Sequence, residues 1–447
     1  MPTEFARRTN LGRIVFISVS ALALLILCVS SVFVVYGTTP AGIGARLTAR
    51  SLASAQISEM VGTNAYVASN RPVPHAPLTA LMETFGVPLS NPIRMVEAQY
   101  PTAIPKVPSG GVSETSLMTP ITTWAKTAQK NIAMGWIPSG LSASESINLI
   151  ANNPGMNVVS PTWFELWSKY GTVKNFVQPS VVTYAHDHHV SVWALVDNQY
   201  SLTLTHELLA NKVATNRFVR QLTQDAVKAH LDGINLDFEN MDIQDESAYT
   251  NMVGQLHQML MKHDIKLSVD ITPDIVFLHD TDVYFHAGLA ANADYLIVMA
   301  YDEHWASDTT PGPVADLPWV RTAVDDLLNT GVPADKLVLG VPFYTRFWHV
   351  YTDGSVSSSA YANSQVQGIL ASHNAVSKWN PHLQLNYARY PKPNGYEEVW
   401  YFTPQTLKDE LDLVNNEGLA GVAVWSLSFS DSHSWSVLIS ALRNSLS

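Results

Sequence analysis

Residues 232–240 read DGINLDFEN. Successive side chains of a strand point to opposite faces, so Asn235, Asp237 and Glu239 share one face while Ile234, Leu236 and Phe238 share the other. The apolar face requires cover. The polar face is either the outside of a surface strand or an amide and two carboxylates turned into a covered interior. The sequence on either side decides between these.

Seven further β-rich runs accompany this one: Asn131–Pro138, Met156–Phe164 and Val190–Asp197 before it, then Lys266–Pro273, Asp294–Tyr301, Lys336–Tyr344 and Leu419–Leu427. Several are almost continuously apolar, as expected of strands covered on both faces of a parallel sheet. Helical patterns lie between them. In Asp245–His263, residues Tyr249, Met252, Val253, Leu256, Met259 and Leu260 form one stripe. Eight strand–helix repeats over roughly 320 residues fit an α/β (β/α)8 barrel, a fold that needs about 250 and tolerates insertions. Residues 347–400, rich in Tyr, Ser, Asn and Pro, read as an insertion after the seventh strand. An open doubly wound sheet is the alternative, but no glycine-rich phosphate loop follows the first strand. In a barrel, DGINLDFEN is the fourth strand, and Asp237 and Glu239 face the lumen near its C-terminal end, where barrel chemistry resides.

Composition narrows the function. The 447 residues are 47% apolar and 14% charged, enough for a large core. A net charge of -12 speaks against a nucleic-acid backbone as partner. A single cysteine excludes an intrachain disulfide and a thiolate-built metal site.

From Ile14 to Tyr36 no residue is charged, and these 23 residues would make about 34 Å of helix, enough to span a bilayer. A cleaved signal peptide is the competing reading, although its apolar region is usually shorter. Arg7, Arg8 and Arg13 precede the span, so residues 1–36 are expected to be a short cytoplasmic tail and a signal-anchor, with the bulk of the chain outside the cytoplasm. Residues 37–128 carry nine prolines between Pro72 and Pro120 and read as a stalk or small irregular region, with one short amphipathic helix at Leu78–Phe85. Residues 129–447 then hold the barrel.

The fourth strand resembles the signature of glycoside hydrolase family 18, the chitinase-like hydrolases, matching it at Asp232, Gly233, Asp237 and Glu239. It departs at Asn235, where chitinases usually carry a third Asp; the Asn form is similar to bacterial spore and cell-wall glucosaminidases. YLIVMAYDEHW resembles the family's Met-x-Tyr-Asp element at Met299, Tyr301 and Asp302, LGVPFYTRFW resembles the same branch at Tyr344 and Arg346, and Trp425 stands where the family has its tryptophan. The resemblance implies a retaining, substrate-assisted glycosidase in which Glu239 is general acid and base. Asp237 would hold the substrate's 2-acetamido N–H, Tyr301 its oxygen, and Trp425 would floor the sugar. Asn235, Met299, Asp302, Tyr344 and Arg346 would line neighbouring positions. The implied substrate is an N-acetylglucosamine polymer, peptidoglycan first and chitin second, cut at β-1,4 bonds at the cell wall or spore envelope, with no cofactor and no metal. A non-catalytic glycan-binding module, lectin-like, is the alternative, and a scaffold for other envelope proteins a third.

Other signals are read as structural. His186, Asp187, His188 and His189 precede the third strand and so sit at the barrel's stability face. His206-Glu207-Leu208-Leu209-Ala210 lacks the second His of a zinc-protease motif. His304 and Trp305 follow the sixth strand, where packing and substrate contact are equal readings, as they are for the aromatics of 347–400.

Overall fold

The computed structural model describes residues 131–273 and 283–444. Eight parallel strands close on themselves: β1 (Ile132–Ile137), β2 (Val158–Ser168), β4 (Ser191–Asp197), β5 (Gly233–Asp237), β6 (Lys266–Ile271), β7 (Tyr295–Met299), β8 (Leu337–Pro342) and β14 (Gly421–Trp425). Closure is made by β1, which pairs with β14 on one side and β2 on the other. A short β3 (Thr172–Asn175) folds back antiparallel on the end of β2. Seven of the eight barrel strands fall within the runs read from the sequence, while β2 continues past the expected Phe164 to Ser168, and the barrel excludes the open sheet.

The two faces of each strand bury different things. Outward residues pack on a ring of helices that includes α1 (Ala143–Ala151), α2 (Pro179–Asp187), α3 (Leu202–Leu209), α4 (Lys212–Lys228), α5 (Glu246–Leu260) and α6 (His286–Asn292). Ile234, Leu236 and Phe238 are fully buried on this side, and the Phe238 ring lies 5.6 Å from Phe218 of α4 and 6.1 Å from Tyr249 of α5. Truncating such a residue, as in Phe238→Ala, costs about 3–5 kcal/mol. The lumen holds a smaller apolar plug of Ile132, Met134, Trp136, Val158, Trp193, Leu195, Ile297, Val338 and Ala423. A Cβ on Gly233 would stand 2.5 Å from the Trp193 ring, so the glycine of the fourth strand makes space for that indole.

Between β8 and its helix the chain builds a five-stranded antiparallel sheet in the order β10-β9-β13-β12-β11. Its strands are β9 (Tyr344–Tyr351), β10 (Val356–Ala362), β11 (Ser377–Asn380), β12 (Leu385–Lys392) and β13 (Gly395–Tyr401). Helix α7 (Leu317–Asn329) precedes β8 and α8 (Val366–Ser372) lies within the insertion, while α9 (Pro404–Glu417) and α10 (Ser432–Asn444) flank β14. The insertion core is Phe347, Val366, Leu370, Ala388, Tyr390, Val399 and Tyr401. The sequence reading needs one correction here: barrel pairing stops at Pro342, and Tyr344 opens the inserted sheet rather than closing the seventh barrel strand.

The expected membrane span at 14–36, the stalk at 37–128 and the helix at Leu78–Phe85 lie outside the described residues. Among the described residues no helix is long and apolar enough to cross a membrane.

Candidate active site

The lumen face of β5 carries the amide and acids that its alternation requires. Asn235 is fully buried. Its Oδ1 accepts from Trp136 Nε1 at 2.7 Å and Ser160 Oγ at 3.0 Å, and its Nδ2 donates to Asp270 Oδ1 at 2.7 Å. An amide fits this position because it must accept on one side and donate on the other. A carboxylate could accept from the indole and hydroxyl, but not donate to Asp270 unless protonated.

One pleat toward the mouth is Asp237. Its Oδ1 is sealed from solvent and has no hydrogen-bond partner among the described residues. Burial, and then the charge of Asp197, push this carboxyl up to about 7. Asp197 is in register with it across the β4–β5 pair, so the two side chains share a face. Asp270, on the next strand, is 1% exposed; burial and then the Asp237 charge hold it well above the usual carboxylate range, against the lowering effect of the Asn235 bond. Like charges this close cannot all ionise together, so the group retains a proton near neutrality.

Glu239 lies two residues beyond the last paired residue of β5 and is half-buried. Its backbone is clamped by buried Asn198, whose Oδ1 accepts the Glu239 N–H at 3.2 Å and whose Nδ2 donates to the Glu239 carbonyl at 2.6 Å. Both ends of one amide thus fix the segment that leaves the sheet. Across the lumen, burial and the charges of Asp270, Asp237 and Glu239 keep the Tyr301 phenol protonated far above its ordinary range. A Cβ on Gly340 would stand 3.2 Å from the Tyr301 ring and 2.6 Å from the Val298 carbonyl, so β8 omits a side chain where this ring approaches. Trp136 meets Tyr301 edge-on at 6.4 Å and Trp425 at 5.9 Å, which places Trp425 at the lumen's end beside both.

A second group joins the mouth to the insertion. Asp302 Oδ1 accepts the Tyr344 hydroxyl at 2.5 Å and Arg346 Nη2 at 3.3 Å. Tyr344 and Arg346 are each 3% exposed and come from β9, so the inserted sheet is tied directly to the loop after β7. Met299 ends β7, buried, opposite Gly340. The structure thus links Asn235, Tyr301 and Trp425 through Trp136 beside Asp237 and Glu239, and groups Asp302, Tyr344 and Arg346 separately, with Met299 at the end of β7.

It also adds four. Asp197 and Asp270 hold carboxylates in the same lumen, Asn198 positions Glu239, and Trp136 connects Asn235, Tyr301 and Trp425. Strand parity alone would have found three of them: Trp193-Leu195-Asp197, Ser268-Asp270 and Met134-Trp136 follow the same alternation as Asn235-Asp237. Asn198 lies past a strand end, where no periodicity points.

The discounted clusters stand elsewhere. His186 Nε2 is 2.8 Å from Asp232 at the N-terminal end of β5, and Asp232 also accepts the Val192 N–H at 2.7 Å. His206 Nδ1 is 3.0 Å from Asp245. His304 Nδ1 is 2.9 Å from Asp308, with its ring edge-on to Trp348 at 6.5 Å. Among the described residues no set of three or more His, Cys, Asp or Glu side chains is grouped to hold a metal ion.

Comparison with known proteins places this barrel among relatives. Residues 156–430 match the family model for glycosyl hydrolases family 18. An uncharacterized glycosylase, YvbX, of Bacillus subtilis is 27% identical over 295 residues, covering 63% of this chain and 84% of that protein. Mouse di-N-acetylchitobiase is also 27% identical, covering 62% and 82%. The putative sporulation-specific glycosylase YdhD of Bacillus subtilis is 25% identical, and its match spans 56% of its own length. Among solved structures, the C-terminal domain of a putative chitinase from Desulfitobacterium hafniense superposes with a TM-score of 0.65 at 22% identity, over 71% of this chain and 100% of that one. The spore cortex-lytic enzyme SleL of Bacillus megaterium gives 0.62 at 19% identity, over 70% and 73%.

Proposed function

Because the chain belongs to glycosyl hydrolase family 18, and so is a glycoside hydrolase, we propose that it cleaves β-1,4 bonds after N-acetylglucosamine in peptidoglycan, with net retention. The observation that carries this reading is the β5 row of Asn235 and Asp237, continued by Glu239, with Trp136 joining Asn235 to the Tyr301 ring. An ordinary retaining glycosidase sets a second carboxylate as nucleophile about 5–5.5 Å from the acid; this family instead recruits the substrate.

In this mechanism Glu239 gives its proton to the glycosidic oxygen while the sugar's own 2-acetamido oxygen attacks the anomeric carbon. The C–O bond to the leaving sugar breaks and a cyclic oxazolinium forms. Asp237 accepts the acetamido N–H and balances the positive charge. The Tyr301 hydroxyl donates to the acetamido oxygen and fixes its line of attack. Glu239, now a carboxylate, takes a proton from water as that water opens the ring. Trp425 offers an apolar floor, and Asp302, Tyr344 and Arg346 a polar wall. The elevated proton affinity of the Asp237–Asp270 pair suits a site that must hold a proton close to the reacting amide.

Peptidoglycan ranks ahead of chitin because residues 14–36 would anchor the barrel outside the cytoplasm, at the cell wall or spore envelope. Mass analysis of fragments released from purified peptidoglycan, before and after borohydride reduction, tests the reading: reduced N-acetylglucosamine ends are expected, and they should vanish with Glu239→Gln. Binding of glycan without any cleavage by the wild type would overturn it in favour of a lectin.

A further inference from the structure

The β2–β3 ribbon carries three exposed groups that the mechanism does not use. Trp167 and Phe176 are 52% and 49% exposed, and Lys174 lies between them with its Nζ 3.1 Å from the centroid of the Trp167 ring and 5.9 Å from that of Phe176. Two exposed aromatics flanking one cation form a contiguous patch rather than a scattered pair.

Their position follows from register. Glu165 of β2 is opposite Asp197 of β4, and Asp197 is opposite Asp237 of β5, so these three carboxylates form one row on the lumen side of the mouth. Lys174 is the β3 partner of Glu165, with its Nζ 3.8 Å from that carboxylate. Trp167 is the extra residue where the β2–β3 ladder shifts between Leu166 and Ser168, and its contact with Lys174 puts it on the same face as Glu165. Bulges re-aim side chains beside active sites. At about 4.8 Å per strand and 3.3 Å per residue, the Trp167 Cα is about 12 Å from that of Asp237, further than one sugar ring reaches.

We infer that Trp167 and Lys174 form a distal sugar subsite that holds a glycan residue carrying a carboxylate. The indole presents one face to the flat C–H side of a pyranose ring, while the ammonium braces the other and orients the ring. The ammonium keeps donors to spare, because Glu165 stands at the edge of ion-pairing distance and more than a third of the lysine side chain is exposed. A neutral glycan would need no cation here. An acidic one would meet Glu165, Asp197 and Asp237 on a chain of net charge -12, and Lys174 offsets them, the ribbon's other lysine, Lys169, being paired with Glu207 at 2.8 Å. The lactyl and stem-peptide carboxylates of a muramyl glycan have the required chemistry.

This inference rests on the hydrolytic reading, so its test compares substrates. KM is measured on a fluorogenic chitobioside, a neutral N-acetylglucosamine hexamer and a peptidoglycan fragment of the same length bearing N-acetylmuramic acid. Trp167→Ala is expected to raise KM for both long substrates about tenfold more than for the chitobioside, with Trp167→Tyr recovering most of the loss. Lys174→Gln is expected to raise KM for the acidic fragment about threefold more than for the neutral hexamer. Equal effects of Trp167→Ala on short and long substrates, or of Lys174→Gln on neutral and acidic ones, would overturn the subsite. If the wild type cleaves none of the three, the hydrolytic reading fails instead, and calorimetric titration of the same glycans against wild type and Trp167→Ala still decides the subsite.

Discussion

Two groups of buried carboxyls invite comparison. In the lumen, Asp237 and Asp270 sit beside an amide, a phenol and a mouth. In the loop after β7, at the start of α7 and along α9, Glu303, Asp316 and Glu410 form a second group. Glu303 accepts the Asp316 N–H at 3.0 Å, and burial followed by the Asp316 charge pushes it up to about 8. Asp316 caps α7 through the Trp319 N–H at 2.8 Å. Glu410 is fully buried, and neither of its oxygens has a partner among the described residues. Burial first, then the charges of Asp409 and Asp316, hold it far above the usual range. Both groups carry raised proton affinities, so perturbed acidity alone does not mark a site. What separates them is the in-register row of Asp237, Asp197 and Glu165 with an amide and a phenol beside it.

The sharpest way to break this contrast is Glu239→Gln, which should lower the release of reducing ends from peptidoglycan by about a thousandfold or more; a rate near wild type would end the reading. Next is Asp237→Asn, expected to cost about a hundredfold in kcat. Because the native Asp237 carboxyl titrates near 7, above its unfolded value, and must be ionised to accept the acetamido N–H and balance the oxazolinium, wild-type activity should fall as pH drops below about 7. The same elevation has a fixed sign for folding. Below the unfolded value the proton is bound in both states and nothing is lost. As pH climbs from about 4 to about 7 the native state alone keeps it, so stability declines over that window. Denaturant titrations at several pH values should show this decline, and Asp237→Asn should flatten it.

The sealed group should behave in the opposite way. Glu410→Met removes a buried, unpartnered carboxyl and is expected to stabilise the fold at pH 7 by about 1–2 kcal/mol, the gain growing with pH. A loss of stability would show that the acid has a partner it needs. The smallest effect is expected from Asp197→Asn. Removing that charge should lower the proton affinity of Asp237 and move the acid-side fall in activity to lower pH, visible in a kcat/KM profile, with little change at pH 8. An unmoved profile would separate Asp197 from the site.

The barrel was legible because periodicity survives burial: near-continuous apolar runs at β4, β7 and β8, and the amphipathic stripe of Tyr249 to Leu260, admit few other folds. Asp237 and Glu239 were legible because a carboxylate on the inward parity of such a strand opposes stability and needs a reason. The same rule applied one strand earlier and one later would have reached Asp197 and Asp270. The insertion's length could be read, but not its start at Tyr344, because VPFYTRFW is equally apolar on both sides of the boundary. The Asn198 clamp depends on a loop returning beneath Glu239, which no local pattern encodes. The ties of Tyr344 and Arg346 to Asp302 likewise span 42 and 44 positions and exist only once the sheet has folded.

Trp136 sits at the centre of the site. One indole donates its N–H to Asn235 and sets its edges against Tyr301 and Trp425, so three elements of the site take their alignment from a single ring. Substitutions at these three places should therefore not combine independently once Trp136 is shortened. In a thermodynamic cycle Trp136→Phe would act as a common joint, and the interaction energies among Asn235, Tyr301 and Trp425 should shrink together when it is loosened.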